Sequence, residues 1–106
     1  METTDDLQLI ERHVAAFNEG VRTGDWEPML ANFVPDAELH FPGVGFSGLG
    51  EIRAAYREQP PDDTIALLEV RGRVASFRWT HGGTGTMAFE LAGGRVMRLT
   101  VGFDEG

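Results

Sequence analysis

The sequence predicts an α+β protein in which helices cover one face of an antiparallel sheet. Three observations carry that expectation. Apolar residues of the first half recur at helical spacing, those of the second half alternate at strand spacing, and glycine-containing turns separate the alternating runs. A chain of 106 residues suffices for one domain, expected over 1–106, and buries roughly two-thirds of its surface on folding.

The elements follow in order. Thr3-Thr4-Asp5-Asp6 offers a helix cap with acids near the N-terminus. Ile10, Val14, Phe17 and Val21 then form one helical stripe, and Gly24 ends it, which sets a helix at about residues 5 to 22. Asp25 caps a short second helix carrying Trp26, Met29, Leu30 and Phe33, with Pro28 tolerated in its first turn. Pro35-Asp36 signals a turn, residues 37–41 alternate as a strand, and 42–48 read as a loop. Leu49, Ile52, Ala55 and Tyr56 make a third helix, which Pro60-Pro61 stops.

Strands follow. Thr64 to Val70 is aliphatic, and Arg71-Gly72 turns. Val74 to His81 alternates, with Phe77 and Trp79 on one side. Gly82 to Gly85 turns again, Met87, Phe89 and Leu91 alternate, and the last strand places Met97, Leu99, Val101 and Phe103 on one face.

Composition removes whole classes of chemistry. All nine bases are arginine; the chain has neither lysine nor cysteine. Thiol nucleophiles, disulfides, Cys-ligated metals, lysine Schiff bases and a Walker-type lysine are excluded. Seventeen acids give a net charge of −8, which disfavours nucleic acid and anionic membranes as partners. The apolar runs are too short for a membrane span, and the acidic N-terminus is unlike a signal peptide, so a cytoplasmic protein is expected. His13, His40 and His81 have no metal-pair spacing, and neither a metal nor a cofactor is expected.

The order of elements, with Phe33-Val34-Pro35-Asp36-Ala37 before the first strand and Val101-Gly102-Phe103-Asp104 at the end, resembles the NTF2-like superfamily. Within it the chain is most similar to the SnoaL-like and ketosteroid-isomerase-like branch. The resemblance implies a cone-shaped curved antiparallel sheet, with three helices in the N-terminal half enclosing an apolar cavity. It also implies a homodimer through the outer sheet face and a small apolar ligand, polycyclic ones included. The cavity wall would comprise Phe77, Trp79, Met87, Phe89, Leu99, Val101 and Phe103, facing His13, Phe17, Trp26 or Met29, Leu39 and Phe41. Isomerase or polyketide-cyclase-type proton transfer is one implied activity; a non-catalytic ligand-binding or dimerisation module is the alternative.

His13 is the candidate catalytic residue. It borders the stripe of helix 1 at a point where the isomerase pattern holds an oxyanion-donating tyrosine, and imidazole can donate a hydrogen bond or act as a base. The competing role is a structural histidine bonded to a backbone carbonyl. The match to the family's carboxylates fails: it places Phe41 at the base position and Met87 at the second acidic position. Glu69 and Asp104 are the only candidates for an acidic base in the cavity, both expected towards solvent or a strand end. Tyr56 directs its hydroxyl to the cavity or its rim. Trp26 and Trp79 either stack on a flat ligand or pack the core. His40 is expected on the exterior, and His81 in the turn before Gly82. Residues 43–48 spell G-x-G-x-x-G, but two helices precede this stretch and no further parallel βα unit follows, so a loop is expected rather than a dinucleotide site. Arg71, Arg73 and Arg78 are expected to pair with surplus carboxylates.

Overall fold

In a computed structural model, which describes residues 2–104 and side chains from residue 6 onward, the first helix α1 spans Glu2–Thr23. It begins earlier than the spacing predicts; the Thr3, Thr4 and Asp5 side chains read as its cap lie outside the described residues. Ile10, Val14 and Phe17 are buried as the stripe requires. Gly24 ends the helix in the left-handed region (φ 81°), donating its N–H to the Gly20 carbonyl at 2.7 Å.

Helix α2 is one turn, Glu27–Leu30. The Asp25 carboxylate accepts the Glu27 N–H at 3.1 Å. Trp26, Met29, Leu30 and Phe33 are all buried, but Phe33 begins the first strand instead of ending the helix.

Strand β1 runs Phe33–Phe41, so Pro35-Asp36 lies inside a strand and not in a turn. The reason is local. The register of β1 against the last strand breaks between Phe33 and Glu38, and a strand irregularity tolerates proline's missing N–H. A further strand unforeseen in the sequence, β2 (Val44–Ser47), folds back on β1 within the glycine-rich loop. Helix α3 (Gly48–Glu58) follows directly, then β3 (Ile65–Arg71), β4 (Val74–Trp79), β5 (Thr84–Ala92) and β6 (Arg95–Phe103).

The six strands lie in the order β2-β1-β6-β5-β4-β3. The sheet is mixed and open, not wholly antiparallel as expected: β1 pairs β6 in parallel, while every other neighbour is antiparallel. Strands β3 to β6 form a meander, whose last strand returns beside β1 after α3 has crossed over. Sequence periodicity reports faces, not neighbours, so this pairing was invisible to it. A second irregularity, between Glu90 and Leu91, sets Met97 and Arg98 against one residue. Met97, expected on the inner face, is consequently 41% exposed, and Val96 is buried in its place.

The helices cover one face. Helix α1 lies against α2 and β3, and α3 lies against β1 and β2. Asn18 of α1 clamps the start of edge strand β3: its Nδ2 donates to the Ile65 carbonyl and its Oδ1 accepts the Ile65 N–H, each at 2.9 Å. Arg53 of α3 donates to Glu27 of α2 at 2.8 Å. The core fills the space between these helices and the inner sheet face.

Candidate functional site

The strand alternation and the α1 stripe converge on a small pocket of about 60 Å³. From α1 come His13 and Phe17, from α3 Tyr56, and from β1 Phe41. Phe77 and Trp79 of β4, Met87 of β5, and Leu99, Val101 and Phe103 of β6 complete the sheet side. Pro61 and Ile65 also line it and were not foreseen. Ile65 opens a strand with inward parity, which was a usable signal; Pro61 reads in the sequence only as part of the helix stop, and its place on the wall comes from the tertiary structure.

Three residues expected on the wall are elsewhere. Trp26, Leu39 and Phe89 are buried in the packed core and do not line the pocket. The Trp26 ring lies 4.8 Å from that of Tyr56, behind the wall. Phe89 meets the edge of His13 at 5.7 Å, and Leu39 lies deep in β1 opposite Leu99. Each has the right parity, but the helices close over it before any space is left.

His13 is 2% exposed and held edge-on between Phe33 and Phe89. No carbonyl satisfies it through Nδ1, which is buried and without a partner. Burial lowers its pKa to about 4, because desolvation penalises the imidazolium. The ring is therefore neutral at pH 7 and presents one donor and one acceptor. Tyr56 is also buried, and desolvation raises its pKa, so its hydroxyl keeps its proton. Among the described residues these are the only titratable side chains on the pocket wall. Such a pair can give and accept hydrogen bonds. It is poorly matched to proton transfer near pH 7, where an acid or base needs a pKa close to the operating pH.

At the mouth, Phe41 and Phe103 stack with ring planes 6° apart and centroids 6.4 Å apart, and Trp79 lies 6.2 Å from Phe103. Phe103 is 47% exposed. The other candidates lie away from the pocket. His40 points outward, its Nε2 2.8 Å from Glu38 Oε1. That hydrogen bond, with the Arg98 charge behind it, lowers the Glu38 pKa. His81 sits exposed in the β4–β5 turn, 3.1 Å from Asp63. Glu69 accepts from Arg71 at 2.7 Å, Asp104 from the Thr84 hydroxyl at 2.6 Å, and Asp6 from Arg73 at 3.1 Å. The G-x-G-x-x-G stretch is strand β2 running into α3. Among the described residues no helix is long and apolar enough to cross a membrane.

An open curved sheet, wrapped on one face by three helices around an aromatic-lined pocket, defines the NTF2-like class of α+β cones. Within that class, the SnoaL-like domain family matches residues 10–103, and the chain belongs to this family. No curated protein matches it in sequence. Among solved structures it is similar to a Kribbella flavida protein provisionally named a ketosteroid isomerase, with a TM-score of 0.83 and 20% identity over 100% of this chain and 82% of that one. It is also similar to Bal32a from a soil-derived mobile gene cassette, with a TM-score of 0.79 and 22% identity over 99% and 93% of the two chains. A SnoaL-like protein of unknown function from Burkholderia thailandensis gives a TM-score of 0.80 at 15% identity, with 99% of each chain covered. At these identities the likeness is one of fold.

Proposed function

We propose that this protein binds a small apolar ligand in the pocket between α1 and the sheet, with His13 as the hydrogen-bond partner of the ligand's polar atom. The observation that carries the reading is the orphaned Nδ1 of a 2%-exposed histidine on the wall of an otherwise apolar space. An unpaired buried polar group costs about 1–3 kcal/mol, a penalty that a ligand's polar atom relieves on displacing the side chains that close over Nδ1. Binding is favoured over proton transfer because, among the described residues, the wall holds no carboxylate: Phe41 and Met87 occupy the places where the family resemblance puts acids. The protein acts as a homodimer joined by the outer sheet face, where Val74, Ala88 and Thr100 lie side by side.

The test is a titration followed by NMR, reading the His13 ring and the Trp79 indole, with 2-butanone, 2-nonanone and androstenedione as probes. Saturable shifts at both positions with any of the three support a pocket that binds ligand. If none shifts them, the proposal is lost.

One observation favours a second reading. His13 and Tyr56 both keep a proton at neutral pH and line the same pocket, so both can polarise a bound carbonyl. Faster deuterium uptake beside the carbonyl of bound 2-nonanone, abolished in His13→Leu, would move the reading from binding towards enolisation.

A further inference from the structure

The inner pocket, about 60 Å³, is small even for one ring: a cavity of roughly 150 Å³ is what accommodates benzene. One water needs roughly 10–15 Å³ of such space, so the pocket takes a group of only a few heavy atoms. A second space adjoins it. Phe41, Tyr56 and Pro61 line both this pocket and a neighbouring cleft of about 250 Å³. The cleft lies between β1–β2 and α3, and Val44, Phe46 and Ala55 give it an apolar wall. The two spaces together enter the size range of small-molecule sites, roughly 300–1,000 Å³. Neither is lined by an arginine, and the chain carries a net charge of −8, so an anionic ligand would meet no compensating charge. Phe41 lies parallel to Phe103 on the wall of the inner pocket, their ring centroids 6.4 Å apart.

We infer that the ligand is a slender, uncharged aliphatic molecule with a carbonyl or hydroxyl near one end, that end seated beside His13 and the chain lying across Pro61 in the Phe46 cleft. This deepens the proposed binding function and rests on it. A ketone can accept from the neutral imidazole, and an alcohol can donate to or accept from it, in either tautomer. A flat four-ring skeleton does not match the small inner end. A carboxylate would be desolvated without a cation beside it.

The experiment compares 2-nonanone with 2-butanone, octanoate at pH 7 and androstenedione by the same His13 and Trp79 resonances, adding the Phe46 amide. 2-Nonanone is expected to shift all three positions. 2-Butanone should shift His13 and Trp79 but not the Phe46 amide, at concentrations at least tenfold higher; octanoate should bind at least tenfold more weakly than 2-nonanone; and androstenedione should leave the resonances unmoved. Ala55→Trp, on the outer cleft wall, should bring the affinity for 2-nonanone down to that for 2-butanone and leave 2-butanone binding unchanged. Tighter binding of androstenedione or octanoate than of 2-nonanone overturns the inference but leaves pocket binding standing, as does 2-nonanone binding that ignores Ala55→Trp. Silence from every probe removes both.

Discussion

At pH 7 the imidazole of His13 is neutral because burial strips away the water that would stabilise its cation, leaving a pKa of about 4. In the unfolded chain the same ring titrates near 6.5. The folded form therefore refuses a proton that the unfolded form accepts between these values. The stabilisation is fully present above pH 6.5 and is lost as pH falls towards 4, by about 3 kcal/mol in all. Urea unfolding at pH 7 and pH 4.5 should show His13→Leu losing less stability on acidification than the native protein, by about 2–3 kcal/mol. Equal losses in the two proteins would contradict the burial account. The legibility of this residue was partial. Its place at the edge of the α1 stripe showed in the spacing of Ile10 and Phe17, but its enclosure by Phe33 and Phe89 came from two strands distant in sequence.

Two contacts between elements set the pocket's frame. Asn18 ties α1 to the exposed edge strand β3 through both of its amide atoms. Asn18→Ala leaves the Ile65 N–H and carbonyl without these partners, and should cost about 1–3 kcal/mol. Hydrogen exchange at Ile65 should accelerate accordingly; unchanged protection there would show that the clamp contributes nothing. Gly20 is the other contact. It lies inside α1, where glycine ordinarily weakens a helix, yet a Cβ at this position would run into the Trp26 indole. Gly20→Ala, stabilising by helix propensity alone, should instead destabilise by about 1–3 kcal/mol through overpacking. A raised Tm would sink that expectation. Sequence pattern located α1, α3 and most of the later strands, because one-sided burial imprints a period on the chain. It missed β2 and the first half of β1, where Pro35 and Gly45 carry turn chemistry although neighbouring strands hold them extended.

At the scale of the molecule, the face of the sheet away from the helices carries Val74, 49% exposed, beside Ala88 and Thr100, bordered by His40 and the Glu38–Arg98–Glu90 ion pairs. The proposed homodimer uses this face. Light scattering should give twice the 11.6 kDa chain mass, and Ala88→Arg should return the single-chain mass with circular dichroism unchanged. A single-chain mass for the native protein at every concentration would remove the dimer. The surplus of acids does not crowd the pocket. Glu27, Glu38, Glu69 and Glu90 are spent on arginine partners at the surface, so the negative charge surrounds an uncharged interior.

Composition and periodicity alone determined which chemistries are absent, that helices precede strands, and which side of each regular strand faces inward. The family resemblance, a further reading of the sequence, implied Phe41 and Met87 at the places where the related isomerase chemistry would need carboxylates. Those properties are local, or are sums over the chain, and so can be read in one dimension. The tertiary structure decided the rest. It paired β1 with β6, turned Met97 outward at a register break, withdrew Trp26, Leu39 and Phe89 into the core, and reduced the cavity to a narrow pocket with a side cleft. Strand neighbours and enclosed volume depend on how closely distant surfaces approach, and an alternation of residue types carries no measure of that distance.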